Sequence, residues 1–468
     1  MADFDLAIVG GGATAHAFLL GLPEQSRRKV VMISPMSDRT DRPVARSSTM
    51  ASPKMNNPLL QQSAADWNAH FPAELSVTGD FAYMGFGNGG GTRFWGNSVG
   101  IFDDDDLRHV RLDPDRMHHA YAELGRRLQI WGNVEDAHAG IYKDLQPSRA
   151  PFRSGRIAPI DGVYRGGNLR VGTARNAVKY HGENACTGCS QCINGCPIGA
   201  LWQSAAPKVA IGRTDTTLCD DWVSSILPLS EGYRLHLRSA EAISANQIVL
   251  AVDPLACFAL LAPLAGDVPT AALAYNPAVA WLALSPRRQE RDEIFGLAHS
   301  QAIYADAGST FAFGHIFDGY PMTLSSTHVL SENKLIEAAF KLALPNALLG
   351  NMFFRSPASL PQLSFSKASI RIEAPTATRP QESDEVLCGI REMLLRHGIV
   401  MVASKFSQPG SDLHFAGGTP HQLQTATAHH TSLRGIFVAG GAAMESLPPQ
   451  SPTFTFMAAA FDLARHWQ

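Results

Sequence analysis

No excess of charge of either sign marks this sequence, and it contains no basic tract and no basic face interleaved with aromatic residues. Charged residues make up 17% of the chain, and the formal net charge is −3. This balance offers no electrostatic reason to bind nucleic acid or an anionic membrane surface, so we expect neither as a partner. With 468 residues, 45% of them apolar, the chain is long enough for two domains and a large core.

The sequence also shows no export signal and no membrane span of its own. Residues 1–5 lack a charged n-region and an h-region and lead directly into an apolar strand. The nearest approach to a span, 248–265, is interrupted by Asp253, Pro254 and Pro263, and this pattern favours a buried strand followed by a core helix. We expect a cytoplasmic protein, or a periplasmic one exported together with a signal-bearing partner.

Cysteine is too scarce for a disulfide framework. The chain has seven cysteines, of which Cys219, Cys257 and Cys388 are scattered, so we expect each of these to be a small buried hydrophobe. The other four follow the spacing C-x2-C-x2-C-x3-C-P. This run consists of Cys186, Cys189, Cys192, Cys196 and Pro197.

Cysteines spaced this closely let one short loop wrap an inorganic cluster, and bacterial ferredoxins hold iron–sulfur clusters with the same run. The run therefore predicts an electron-transfer cluster. A structural zinc site and a coincidence of buried cysteines are the alternatives. The sequence contains no second run, so Cys196 closes the same cluster unless the remote Cys219 takes part.

A glycine-rich turn lies at the start of the chain. The apolar strand 5–9 leads into Gly10, Gly12 and Ala15 in the pattern G-x-G-x-x-A, and a helical stretch follows to about Leu22. Such glycines allow a tight turn and let bare backbone N–H groups approach a pyrophosphate at the helix N-terminus. The context predicts a dinucleotide site, and a glycine-rich turn without a ligand is the alternative.

The second strand, 29–33, ends without the acidic residue that normally holds the ribose hydroxyls of a dinucleotide. Ser34 stands at that position and offers one hydrogen bond where a carboxylate offers two. This absence disfavours NAD, because NAD depends on the acid, and it favours a cofactor with many other anchors.

A second glycine-rich segment, 85–97, surrounds Trp95. So many glycines indicate backbone that lies close to a flat ligand, with a flexible loop as the alternative. Near the C-terminus, a strand at 435–439 leads through Gly441 to Ser451, and a last helix begins there and directs the positive end of its dipole at a ligand.

The remaining pattern predicts helices at 58–70, 331–345 and 383–397 and strands at 222–227, 233–237, 247–252 and 278–284. Residues 106–150 look helical, and we place Tyr121 of this segment on the protein surface.

These segments together resemble the GMC (glucose–methanol–choline) oxidoreductases, which are FAD-dependent enzymes that oxidise alcohols and sugars. The resemblance is nearest to the bacterial FAD-dependent sugar and gluconate dehydrogenases that carry an iron–sulfur cluster. Four pieces match in order: 10–15, 89–97, 186–200 and 414–455. They leave most of 266–405 unmatched.

The resemblance implies an α/β fold in which a Rossmann-like FAD-binding domain carries a second, substrate-binding domain built on a β-sheet with covering helices. The FAD-binding domain would comprise 1–105, 166–265 (the iron–sulfur loop and the return of the chain) and 408–468. The substrate domain would comprise a helical segment, 106–165, and the main part, 266–407.

The resemblance also implies roles for single residues. His414 stands where the family has its catalytic histidine, and Ser451 stands where the family has a second histidine or an asparagine. Val223 matches the position that holds the adenine through its backbone. The implied cofactor-binding residues are Gly10, Gly12, Ala15, Ser34, Gly91, Thr92, Trp95, Gly96, Asn97, Val223 and Gly441.

This sequence departs from the family's pattern at three sites. Ser34 replaces the acid at the ribose, and Ser451 replaces the second catalytic residue. Cys186, Cys192 and Cys196 match the three ligands of the family's 3Fe–4S site, whereas Cys189 is additional, so a 4Fe–4S cluster is an equal alternative.

The resulting hypothesis is an FAD-dependent dehydrogenase that oxidises a CH–OH group of a sugar, polyol or sugar acid. His414, with an ordinary pKa of ~6.5, would take the hydroxyl proton while a hydride leaves for the flavin. Electrons would pass through the cluster to a cytochrome or another acceptor protein, and a small accessory subunit is a further expected partner. The alternatives are an electron-transfer subunit without its own organic substrate, and a flavin oxidase with a structural zinc loop.

Overall fold

The structure is a computed structural model. It describes residues 2–23, 28–35, 58–87, 89–133, 135–145, 148–149, 157–188, 192, 196–287, 300–307, 310–318, 344–376 and 379–467.

The helices of the described residues are α1 (Ala13–Gly21), α2 (Pro58–His70), α3 (Asp104–His109), α4 (Pro114–Leu128), α5 (Ala206–Ile211), α6 (Pro254–Leu261), α7 (Ser383–Arg396) and α8 (Thr453–Arg465).

The strands are β1 (Phe4–Val9), β2 (Val30–Ile33), β3 (Glu74–Thr78), β4 (Trp131–Gly132), β5 (Ser148–Arg149), β6 (Gly162–Tyr164), β7 (Leu169–Thr173), β8 (Thr216–Cys219), β9 (Val223–Pro228), β10 (Tyr233–Leu237), β11 (Ala242–Leu250), β12 (Thr270–Tyr275), β13 (Ala278–Leu284), β14 (Gln301–Ala307), β15 (Thr310–Asp318), β16 (Ala347–Phe354), β17 (Gln362–Ser366), β18 (Ser369–Glu373), β19 (Val400–Phe406), β20 (Phe415–Gly417) and β21 (Ile436–Val438).

The first sheet has the strand order β8-β2-β1-β11-β10-β9. Its central parallel strands β1 and β2 and the last three residues of β11 are almost entirely apolar and mostly buried, as expected for strands covered on both faces, whereas the edge strand β8 is more exposed. The long strand β11 pairs with antiparallel β10 along its first half and with parallel β21 along its second half. The sequence-distant strand β21 thereby joins the C-terminal part of the chain to the dinucleotide-type sheet.

Helices α1 and α8 pack against each other over this sheet. The contact is close because Gly21 carries no side chain, and a Cβ there would lie 2.5 Å from the Phe461 carbonyl oxygen. The first and last helices of the chain therefore lie in the same layer. Apolar residues of α4, among them Met117 and Leu124, lie in the same core as Phe461 of α8.

A long antiparallel sheet, called the third sheet below, has the strand order β19-β13-β16-β15-β14-β7-β6. Side chains alternate between its two faces. Met352 and Phe354 of β16 pack with Ile390 and Met393 of α7 in one apolar cluster. The intervening residue Phe353 points to the opposite face and belongs to the core shared with the first sheet. One face of the sheet is thus covered by a helix, and the other faces the dinucleotide-type domain.

A smaller sheet with the order β20-β12-β17-β18-β3 lies at the junction. Strand β12 pairs with β17 through its first residues and with β20 through its last. Because β20 begins directly after His414, this pairing determines where that histidine lies.

Most of the predicted elements form as expected. Helix α2 has the predicted bounds, α7 lies within 383–397, and the predicted strand at 278–284 is β13. The stretch 248–265 is the end of β11 followed by the buried helix α6. The helix predicted at 331–345 lies largely outside the described residues.

Three expectations need correction. Of the three scattered cysteines expected to be buried, only Cys257 is buried, whereas Cys219 is partly buried and Cys388 is exposed. The expected boundary between 165 and 166 separates β6 from β7, yet the two strands pair with each other, and β7 pairs with β14 of the third sheet. Tyr121 does not lie on the surface: its side chain is buried, its hydroxyl lies 2.8 Å from the Thr455 hydroxyl, and burial raises its pKa. The reason is that α4 packs against α8, a contact that no local pattern shows.

Within the described residues, no helix is long and apolar enough to cross a membrane.

A fully buried ion pair lies beside β7. Arg175 donates from Nη1 and Nη2 to the two carboxylate oxygens of Asp136, at 2.7 and 3.0 Å. Asp136 also accepts the backbone N–H groups of Thr173 and His138. Burial acts to raise the pKa of Asp136, but the hydrogen bonds and charge of Arg175 outweigh it, so the pKa lies below its ordinary value.

We expect Arg175→Met to lower the free energy of unfolding by about 3–5 kcal/mol, because it leaves the Asp136 carboxylate buried without its cation. Urea denaturation measures the change. Arg108→Met is the matched control, since Arg108 pairs with the exposed Asp105 and its loss should cost less than about 1 kcal/mol. Equal costs for the two variants would contradict this account of the buried pair.

Candidate functional site

A cavity of about 420 Å³ lies between the first sheet, the smaller sheet and the third sheet, and residues of all three line it. It begins at the carboxyl ends of β1 and β2, at Val9 and Ile33, and extends to His414 and Ser451 near the C-terminus. Crevices at the carboxyl ends of parallel strands are the usual ligand sites of such sheets. Its lining residues come from segments that are hundreds of positions apart in the sequence.

The glycine-rich turn lines one end of the cavity, and its backbone is closely surrounded. Gly10 has φ +116°, and a Cβ there would lie 2.3 Å from the Ala251 carbonyl oxygen. A Cβ at Gly11 would lie 2.1 Å from the Ser34 hydroxyl oxygen. Gly12 differs, because its Cβ would meet no atom nearer than the Gly90 Cα, at 3.9 Å. Two of the glycines are thus required by the protein itself, whereas Gly12 leaves open space.

Two helices begin at this cavity. Helix α1 begins after Gly12 and α8 after Pro452, and residues at both starts line the cavity. In the described part of the chain, no side chain caps either N-terminus. Both helices therefore direct backbone N–H groups and the positive end of a dipole at the same space, which favours a ligand with negative charge.

A carboxylate lies beside the serine that replaces the expected acid. Ser34 is buried at the end of β2, and its backbone N–H donates to the Cys219 carbonyl on the neighbouring strand β8. Two residues further on, Asp221 lines the cavity and accepts the backbone N–H groups of Trp222 and Ser239. The fold thus brings a carboxylate to this edge of the cavity from a strand that sequence reasoning did not consider.

The second glycine-rich segment forms the wall opposite the turn. It contains a short 3-10 helix, Gly90–Arg93, and a Cβ at Gly90 would lie 3.5 Å from the Gly12 Cα. Thr92 donates to the Gly89 carbonyl and accepts the Ser204 backbone N–H. Gly89 and Gly90 have φ angles of +76° and +59°, a left-handed backbone conformation that favours glycine at this wall.

Asn97 is fully buried, and neither its side-chain oxygen nor its side-chain nitrogen has a hydrogen-bond partner in the described structure. Its neighbours Gly96 and Ser98 line the cavity. A buried amide without a partner is costly, so its presence beside a cavity is an indication of a ligand site.

His414 lies at the far end of the cavity. Its ring packs on Phe353, with 4.8 Å between ring centroids, and its Nδ1 lies 3.6 Å from a carboxylate oxygen of Asp412. Both His414 and Asp412 line the cavity, as does Ser451. The arrangement places an imidazole between an aromatic ring and a carboxylate, which is an environment suited to a proton acceptor.

A second histidine in the cavity wall was not singled out from the sequence. The ring of His315 lies 2.7 Å from the Ser98 hydroxyl through Nε2 and 3.2 Å from Asn351 Oδ1 through Nδ1. Burial lowers the pKa of His315 to about 4, so the ring is neutral near neutral pH. No periodicity or motif marks His315, Asn351, Asp221 or Asp412 in the sequence.

The described cysteines of the closely spaced run, Cys186, Cys192 and Cys196, do not line the cavity and pack in a separate, small apolar cluster with Tyr180. The Cys186 sulfur accepts the Gly188 N–H at 3.4 Å, and the Cys196 sulfur accepts the Ala200 N–H at 3.2 Å. Burial is the main cause that raises the pKa of Tyr180, and Cys186 and Cys192 add to it. Among the residues the structure describes, no three His, Cys, Asp or Glu side chains form a group that could hold a metal ion.

The cavity and the cysteine loop share a wall. Trp95 lines the cavity and donates from its indole N–H to the Trp202 carbonyl at 3.0 Å. Leu201, next to Trp202, pairs with Val178 in an isolated β-bridge, and both belong to the cluster around Tyr180. The apolar cluster that contains Cys186, Cys192 and Cys196 therefore adjoins the segment that contacts Trp95.

The structure brings most of the predicted cofactor and catalytic residues together. Those that line the cavity are Gly10, Gly12, Ser34, Gly91, Thr92, Trp95, Gly96, Val223, His414, Gly441 and Ser451. Ala15, a residue of α1, packs in the core, and Asn97 is fully buried between Gly96 and Ser98, which line the cavity. Cys189 lies outside the described residues.

No family model and no curated protein matches the chain in sequence. Among solved structures, a variant of formate oxidase from Aspergillus oryzae RIB40, made to examine FAD modification, matches with a TM-score of 0.60 and 10% identity. The match covers 99% of this chain and 98% of that chain.

A second formate oxidase structure matches with a TM-score of 0.60 and 10% identity, over 98% of this chain and 97% of that chain. Pyridoxine 4-oxidase from Mesorbium loti is 12% identical over 99% of both chains, with a TM-score of 0.48. The two formate oxidase matches confirm the predicted fold, in which a Rossmann-like domain is joined to a second domain built on a sheet with covering helices.

Proposed function

We propose that this protein is an FAD-dependent dehydrogenase that oxidises a CH–OH group of a sugar, polyol or sugar acid. The observation that carries the proposal is the continuity of one cavity from the bare glycine turn before α1 to the imidazole of His414. A dinucleotide that spans this cavity would place its pyrophosphate at the glycine turn and one of its ring systems near His414.

The residues present fit FAD. The open space at Gly12 and the uncapped starts of α1 and α8 suit a negatively charged pyrophosphate and flavin. Asp221 would supply the carboxylate for the ribose hydroxyls that Ser34 lacks. The buried amide of Asn97, which has no partner among the described residues, lies between two cavity-lining residues of the wall that would hold the ring system.

FAD, when bound, supplies an acceptor for the hydride of the substrate carbon. The protein's own contribution is proton transfer by His414. The Asp412 carboxylate, 3.6 Å from Nδ1, favours a proton on that nitrogen and stabilises the charged ring that forms when the other nitrogen takes the substrate's hydroxyl proton. Phe353 fixes the plane of the ring from one side. The Ser451 hydroxyl can orient a substrate but is a poor base.

We also propose that the cysteine loop holds an iron–sulfur cluster that passes electrons to an external acceptor protein such as a cytochrome. The spacing of the four cysteines and the N–H groups of Gly188 and Ala200 that donate to sulfur support this proposal, since such bonds stabilise cluster thiolates. The contact of Trp95 with the segment that adjoins the cysteine cluster is a further support.

Gly12→Val should fold normally but contain at least about tenfold less FAD than the unmodified protein. A Cβ at this position would lie no nearer than 3.9 Å to any protein atom beyond its chain neighbours, so the protein itself tolerates it. The valine side chain instead fills the space where a pyrophosphate would approach the backbone. Acid release and chromatography measure the flavin. Gly140→Val is the matched control, because a Cβ there also meets nothing within 4 Å and Gly140 does not line the cavity. An unmodified protein that releases no flavin would refute the proposed function.

His414→Ala should slow the anaerobic bleaching of the flavin by substrate by about 10²- to 10⁴-fold, the usual size of the loss of a general base. Ser451→Ala should cost much less, because it removes only an orienting hydroxyl. Stopped-flow absorbance measures both rates in preparations of equal FAD content. A larger loss in the serine variant would reverse the assigned roles.

Cys192→Ser should abolish bound iron and the broad absorbance of a cluster while FAD content stays unchanged. Bleaching of the flavin by substrate should persist, whereas transfer to a one-electron acceptor should collapse. Metal analysis and the two half-reactions test this. Zinc in place of iron, with rapid hydrogen peroxide formation in air, would instead favour the oxidase with a structural zinc loop.

A further inference from the structure

The face of the third sheet that borders the cavity carries a short row of functional side chains. His315 of β15 lies directly opposite Asn351 of β16, and Phe313 lies opposite Phe353. His315, Asn351 and Phe353 line the cavity, whereas Met352 faces the other way into the cluster covered by α7. This alternation assigns the row to the cavity independently of any motif.

The hydrogen bonds of Asn351 determine which end of its amide faces the cavity. Oδ1 lies 3.0 Å from the backbone nitrogen of His315 and 3.2 Å from its Nδ1. Because Oδ1 can only accept, His315 carries its proton on Nδ1, and Nε2 accepts from the Ser98 hydroxyl. With Oδ1 held by two donors, the two N–H groups of Nδ2 are directed away from His315.

The donor pair of Asn351 lies within reach of the reacting end of the cavity. Phe353, which packs on His414 at 4.8 Å, is two residues further along the same face of β16. Two residues of a strand span about 7 Å. A substrate with several hydroxyl groups that contacts His414 through one of them can therefore contact Asn351 through an oxygen on another carbon.

We propose that Asn351 donates a hydrogen bond to a second oxygen of the substrate whose hydroxyl proton His414 takes, and that His315 is the positioning residue that orients Asn351. The inference rests on the proposed function and narrows its substrate class to an uncharged compound with several hydroxyl groups.

The charge beside His414 is the reason why we expect an uncharged substrate. The Asp412 carboxylate lines the cavity beside His414, 3.6 Å from Nδ1, and its negative charge opposes a carboxylate substrate such as a sugar acid at this end. The N–H donors of Asn351 require an acceptor, which an ammonium group does not offer. A neutral hydroxyl oxygen meets both requirements.

Calorimetric titration of the holoprotein with glycerol, D-glucose and D-mannitol, and with D-gluconate and choline as charged probes, tests the inference. A neutral probe should bind more tightly than both charged ones. Asn351→Leu should weaken this binding by about 3- to 10-fold, the value of one lost hydrogen bond. Asn351→Asp should weaken it further, because it replaces a donor with a negatively charged acceptor.

A double-mutant cycle tests the positioning role of His315. His315→Leu should weaken binding of the neutral probe in the unmodified protein but have little further effect in Asn351→Leu, because its influence acts through Asn351. Asn346→Leu is the matched control: this residue immediately precedes β16, and its amide donates to the Ser285 carbonyl, away from the cavity. The control should lose no affinity.

Preferential binding of gluconate or choline, unchanged affinity in Asn351→Leu, or additive effects in the cycle would each overturn the inference. Failure of the unmodified protein to bind any neutral probe would overturn it as well. FAD content, measured on the same preparations, reports separately on the proposed function.

Discussion

The structure depends on the close meeting of backbone segments at the glycine turn. Gly10 lies against Ala251, Gly11 lies against Ser34, and Gly12 lies opposite Gly90. Side chains at the first two positions would collide with the ends of two other strands. This steric constraint holds the ends of β1, β2 and β11 around one space and keeps bare backbone N–H groups on its wall, which is the feature that makes the cavity suitable for a phosphate-bearing ligand.

The cavity also depends on the third sheet, which packs against α7 on one face and borders the cavity on the other. In β16, Met352 and Phe354 pack in the apolar cluster that contains residues of α7, whereas Asn351 and Phe353 line the cavity. Because successive side chains of a strand point to opposite faces, the residues that stabilise the core and the residues that face the ligand space alternate along β16. The buried pair of Arg175 and Asp136 lies where β7 joins this sheet to the segment before the cysteine loop, so it stabilises the junction between the two functional regions.

Much of the site could be predicted from local patterns. The turn at Gly10 and Gly12 and the glycine-rich wall around Trp95 are short-range signals, whereas His414 was indicated only by the resemblance to a family. All of them lie at the cavity. Asp221, His315 and Asn351 could not be predicted in this way. Each is a single polar residue at the end or in the middle of a strand, and such residues are as often solvated or structural. The placement of Tyr121 failed for a related reason, since its partner Thr455 is 334 positions away.

The sequence by itself determined the order of the elements, the dinucleotide-type turn and the spacing of the cysteines, because these depend on backbone conformation and on neighbours within a few residues. Only the tertiary structure decided which polar groups share the cavity, that the carboxylate of Asp221, two residues after β8, lies at the same edge as Ser34, and which end of the Asn351 amide faces the ligand space. Those outcomes depend on pairing between strands far apart in sequence, such as β15 with β16 and β2 with β8, and the register of such pairing is set by the packing of the whole core.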